Sequence, residues 1–126
     1  MKRVVAAFLL FAAAVSITVC SGITFQKKMM ILSEKLDGLI ICSETCSDKE
    51  LKEKTWELVD IWNGSSELLH SLVVHEEMDK LEEIVTALPL TLEYSEKDEY
   101  INKCIEAVNI IKNLLKAEKI NIGNIL

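Results

Sequence analysis

Hydrophobic and polar positions divide this chain into an uncharged front and a periodic remainder. From Val4 to Phe25 no side chain carries a charge; Lys2 and Arg3 precede the run, and Lys27 and Lys28 follow it. Phe25, Met29, Leu32, Leu36 and Leu39 then recur at spacings of four and three, which is one face of an α-helix. The front run is therefore predicted to continue as a helix to about Ile41, with Gly38 as its weak point and Ser43 to Ser47 as a turn. Ser47 and Glu50 have capping-box spacing. They open a second helix, expected from Asp48 to about Val74, on Leu51, Leu58, Trp62, Leu69 and Leu72, with Trp56 and Val59 widening the face. Asn63-Gly64 reads as a bend, since the apolar register is kept across it.

A third stripe runs through Met78, Leu81, Val85, Leu88 and Leu92. Pro89 lacks an amide donor, so it is expected to kink that helix or end it early. Ser95 is expected to cap a fourth helix on Ile101, Cys104 or Ile105, Val108, Ile111 and Leu115. From Ile120 to Leu126, Gly123 and two Asn argue against helix, and the segment is expected to fold back on the bundle. One Pro and four Gly are too few for a turn-rich all-β chain. The expected fold is all-α: an N-terminal transmembrane helix, residues 1–25, followed by a small antiparallel bundle of three to four helices, residues 26–126.

Val4 to Phe25 is 22 residues, or about 33 Å of helix. That matches a hydrocarbon core of about 30 Å. A cleaved signal peptide is the rival reading, with Lys2 and Arg3 as its basic start and a cut near Ser21. Lipidation at Cys20 is a third, weakened by Val19, where a small residue is expected. The run is longer than the usual ~7–15 residues of a signal centre, which favours a retained anchor. Basic residues flank both ends, so charge counts barely orient the span. The short front tail stays behind more easily than the acidic domain, which puts the N-terminus in the cytoplasm and the C-terminal domain outside the cell membrane.

Charge narrows the partners. The whole chain carries −6, and beyond Arg3 twelve basic residues face 20 acidic ones. No basic surface is available for nucleic acid, nor for a broad hold on anionic lipid. Four cysteines make no diagnostic framework. Cys42 and Cys46 could close a small loop, or one could pair with Cys104; the preferred expectation leaves them unbonded.

Candidate chemistry is sparse. His75-Glu76-Glu77-Met78-Asp79 is the one cluster worth weighing. His75 and Asp79 are four apart and share a helical face, with Glu76 nearby. The segment is similar to the start of a zincin motif, but Asp79 stands where the second His belongs. The expectation is a helix junction whose acids suit the dipole of the third helix. His70, five residues before His75, has the wrong spacing for the same face. Asn63-Gly64-Ser65 fits a glycosylation acceptor by pattern alone. No phosphate loop, Cys-x-x-Cys pair or catalytic triad is specified. No catalytic residue and no cofactor is assigned, and His75, Glu76 and Asp79 are the only residues that approach a metal set.

The N-terminal span, the Trp-containing second helix, the His75–Asp79 junction and the closing Asn124-Ile125-Leu126 together resemble short bacterial proteins grouped as domain of unknown function 4363. The resemblance covers essentially the whole chain. It implies a single-pass membrane protein with a small helical domain and no assigned activity. It makes His75 a family feature and favours the anchor over cleavage; Cys42, Cys46 and Pro89 do not match the pattern.

The expected function is that of a non-enzymatic, membrane-anchored accessory or scaffold protein acting by protein–protein contact. Its partners are the bilayer and either another membrane protein or a second copy, docked on the stripe from Phe25 to Leu39. The alternative is an extracytoplasmic ligand or metal sensor using His75, Glu76 and Asp79; a hydrolase on the same cluster ranks third.

Overall fold

A computed structural model describes residues 1–72 and 76–125, without the side chains of 71, 72 and 118–125. The chain is a four-helix bundle: α1 Lys2–Thr45, α2 Asp48–Leu72, α3 Glu76–Tyr94 and α4 Lys97–Ile125. Each helix packs against its chain neighbours, and α4 closes back on α1. Connections of two residues, Cys46-Ser47 and Ser95-Glu96, force the helices they join to run antiparallel.

The helix α1 is 44 residues long, about 66 Å, and carries both halves of the molecule. Its N-terminal part is long and apolar enough to cross a membrane, and its most apolar window is not covered by the bundle. Every residue through Ala14 is exposed. The Thr18 hydroxyl donates to the Ala14 carbonyl at 2.9 Å, so this polar group is satisfied within the helix. From Gly22 and Phe25 onward the same helix enters the bundle core. There is no break at residue 25, and Ser43 to Thr45 are helical, so the expected turn shrinks to Cys46 and Ser47. Gly38 stays helical because its neighbours on both sides are held: Leu36 and Leu39 are buried.

The stripe Phe25, Met29, Leu32, Leu36 and Leu39 is fully used inside the bundle. It is therefore not a docking face for a partner. A helix of period 3.6 offers one wide apolar face, and here α2 and α4 already cover it.

The helix α2 begins as expected: the Glu50 amide donates to Ser47 Oγ at 3.2 Å. The Glu50 carboxylate lies 3.8 Å from Lys54, one turn on. Gly64 causes no turn, because Trp62, Ser65 and Leu69 keep the buried register around it. Of the expected aromatic pair, Trp62 is enclosed in the core while Trp56 is half exposed at its edge.

Pro89 does not end α3, which runs five residues further to Tyr94. The ring is buried against the core, and that packing offsets the hydrogen bond its missing N–H forfeits. Ser95 does not cap α4. Its amide donates to the Thr91 carbonyl and so closes α3, while the Glu96 carbonyl accepts the first amides of α4. The buried face of α4 matches the expected one in part. Cys104, Val108 and Ile111 of the expected stripe are buried, Tyr100, Ala107, Ile110 and Leu114 extend the face on one side, and Ile105 is exposed. Residues 120–125 of the expected non-helical tail are instead the end of α4, which reaches Ile125, and Leu126 lies outside the described residues.

Candidate functional site

Two places in the bundle gather polar or titratable side chains. The first lies in its core. Thr55 Oγ1 donates to the Leu51 carbonyl at 2.7 Å and lies 2.7 Å from the Tyr100 hydroxyl. A threonine hydroxyl has one hydrogen, already given to Leu51, so Tyr100 is the donor between them. This bond joins α2 to α4 diagonally across the core. Cys104 is buried one turn beyond Tyr100. Burial pushes the Cys104 thiol up to about 12, against a smaller lowering by its hydrogen bond to Tyr100. Burial also raises the Tyr100 phenol, with its hydrogen bond to Thr55 opposing and Cys104 adding to the rise. Neutral thiol and phenol suit a structural role, and a thiol held protonated is a poor nucleophile.

Both raised values link folding to pH in one direction. Above the ordinary values of 9.0 for Cys104 and 10.0 for Tyr100 the unfolded chain releases protons that the folded chain retains. Stability from these groups is complete below about pH 9 and is lost progressively as pH rises toward 12. Urea midpoints measured from pH 7 to 11 should fall steeply above pH 9. The fall should be shallower in Cys104→Ala, and an unchanged slope in that variant would remove Cys104 from this account.

The second place is the base of the bundle, where α2 ends and α3 begins. Imidazole Nδ1 of His70 lies 3.8 Å from Asp79 Oδ1, and Nε2 lies 3.3 Å from Glu82 Oε2. Asp79 and Glu82 are one turn apart on α3 and face the same way. Trp62, two turns before His70 on α2, meets the imidazole edge-on with centroids 6.4 Å apart. Nε2 is buried yet makes no hydrogen bond among the described residues, so its approach to Glu82 is close but misaligned.

The expected set His75, Glu76 and Asp79 is only partly located. His75 lies outside the described residues. Glu76 is exposed in the first turn of α3 and stands outside the group formed by His70, Asp79 and Glu82. Asp79 is shared by both sets. Reading His70 against His75 along one helix missed this group, because the relevant neighbour is on the next helix. The spacing of Asp79 and Glu82 was a readable signal; its partner was not.

The cysteines differ from expectation. Cys42 and Cys46 are bonded to each other at the C-terminal end of α1, with Cα atoms 4.8 Å apart. Four residues is one helical turn, so both side chains lie on one flank. Cys104 is free and buried, and Cys20 is free and exposed.

Exposed apolar residues lie on the outer flank of α1. Ile23, Met30 and Ile41 are exposed at separations of seven and eleven, close to whole turns, so they share one face. Gly38 lies to one side of that face, toward α2, and nothing stands within 4 Å of where its Cβ would be. Glu34, Lys35, Lys54 and Glu57 line the shallow groove there between α1 and α2.

No family model, curated protein or solved structure matches this chain. The class that the fold defines is therefore a helical bundle continuous with one candidate membrane helix.

Proposed function

We propose that this protein is a single-pass, non-enzymatic accessory or scaffold protein. In this reading its bundle stands directly on the outer face of the cell membrane and acts by contact with another membrane protein or a second copy. The kinship with domain of unknown function 4363 belongs to this reading and brings no activity with it. The observation that carries it is α1 itself: one unbroken helix is exposed and apolar at its front and is core of the bundle from Gly22 onward. A helix shared in this way transmits position rigidly, which suits a scaffold better than a tethered catalyst on a flexible linker.

The topology is N-terminus in the cytoplasm and bundle outside. The Cys42–Cys46 bond supports it, since disulfides persist on the oxidising side of the membrane. The contact face is the outer flank of α1, where Ile23, Met30 and Ile41 are exposed beyond the apolar run, with exposed Asp37 between the last two. Exposed apolar side chains at whole-turn spacing suit contact with a second helix.

A photoreactive residue at Met30 or Ile41, in the full chain in native membranes, should give a discrete cross-linked adduct. The same residue at Glu83, on the exposed side of α3, should give none. Absence of any adduct from both α1 positions would count against contact through this face.

A further inference from the structure

We infer that His70, Asp79 and Glu82 form a site for a divalent cation of the zinc class, bridging the end of α2 and the start of α3. One imidazole nitrogen and one oxygen from each carboxylate lie within 4.8 Å of one another. Ligands around a tetrahedral ion with bonds of about 2.1 Å are separated by about 3.4 Å. Glu82 stands 3.3 Å from Nε2 and Asp79 stands 3.8 Å from Nδ1; only one of these nitrogens can bind a given ion, so one carboxylate must rotate toward the nitrogen the other faces, within a set already inside 4.8 Å.

Three features favour an ion over a plain ion pair. First, His70 Nε2 is buried without a hydrogen bond among the described residues although a carboxylate oxygen stands beside it. A buried polar atom left unpaired is costly, and a cation held between nitrogen and oxygen would satisfy both. Second, Trp62 fixes the imidazole from behind: its ring is fully buried and meets His70 at 84°. A ligand held in place by its neighbours binds better than one free to rotate. Third, one nitrogen with two carboxylates suits zinc, which accepts mixed N and O ligands, better than calcium, which takes oxygen. Three protein ligands leave a fourth position for water or for a group from a partner. The site joins two helices where the bundle meets α1's apolar segment, so a bound ion would stiffen that base.

The test uses the full chain in detergent micelles, stripped with chelator and titrated with zinc chloride and, separately, cobalt chloride. The wild type should bind one Zn2+ per chain and should develop the visible absorption of low-symmetry Co2+. His70→Ala and Asp79→Asn should each weaken Zn2+ at least tenfold. Asp79 is largely exposed, so its variant keeps the fold, which circular dichroism checks. Glu93→Gln, at the opposite end of α3, should bind as the wild type. No Zn2+ bound to the wild type, or equal affinity in Asp79→Asn, overturns the site. Loss in His75→Ala with none in His70→Ala overturns this ligand assignment in favour of the other histidine. None of these outcomes bears on cross-linking through α1, so this inference and the scaffold reading can fail separately.

Discussion

Trp62→Ala should cost the bundle about 3–5 kcal/mol, the range for removing a fully enclosed large aromatic, while Trp62→Phe should cost under about 1 kcal/mol. Trp62 is wholly buried in the middle of α2. Alanine there leaves a cavity that packed helices relax into only in part. Phenylalanine fills most of the same space. It also removes the indole N–H, which is buried and has no hydrogen-bond partner among the described residues. An unpaired buried donor costs about 1–3 kcal/mol, so its removal offsets much of the lost ring. Urea denaturation at pH 7 measures both variants. Equal losses in the two would mean the indole N–H is satisfied in solution, and the offset would be void. Because Trp62 also backs His70, Trp62→Phe tests the edge contact too: zinc affinity should fall less in it than in His70→Ala.

How far the sequence could be read follows from which forces act locally. The stripe Phe25, Met29, Leu32, Leu36 and Leu39 was legible because its period is unbroken and its side chains are large. The start of α2 was legible because Ser47 caps through its own neighbours. The face of α4 is legible in part: Cys104, Val108 and Ile111 are buried as their spacing predicts, while the flank that adjoins them is not visible in the spacing. Tyr100 and Ala107 had not been counted as core, yet Tyr100 is buried because Thr55 on another helix takes its hydroxyl bond. That bond is invisible in either segment alone. Pro89 was weighed for the amide it lacks and not for the apolar ring it buries. His70 was judged against its own helix, while its partners are brought by the antiparallel return of α3. Local rules located the helices; the phase of each face and the meeting of side chains at the base depend on helix-to-helix register, which no single segment encodes.

An arginine in place of Ala13 should release the protein from membranes about a hundredfold, and one in place of Met30 should not. Ala13 lies near the centre of the uncharged run and is exposed on α1 away from the bundle. A charge at the centre of a spanning helix costs about 2.5–3.5 kcal/mol, while the bundle, which Ala13 does not touch, stays folded. Met30 is equally exposed but follows Lys27 and Lys28, where the chain meets water. Between them lies the informative stretch. Only Val4 to Ala14 is free of the bundle on all sides, about 16 Å of helix, which is short of a hydrocarbon core of about 30 Å. The bilayer must then climb the exposed sides of α1, where Ile17 lies beside Leu68 at the base of α2 and Ile23 lies about a third of a turn round the helix. Arginine at Ile17 should therefore release the protein nearly as well as at Ala13, and at Ile23 only in part, as long side chains reach the interface. Carbonate extraction followed by fractionation reads the series. A flat series would mean that no part of α1 resides in lipid. The mass of the mature chain separates the remaining case: cleavage near Ser21 removes Val15 and Val19 but leaves Gly22 and Phe25 in the core, so the bundle would persist as a freely soluble body.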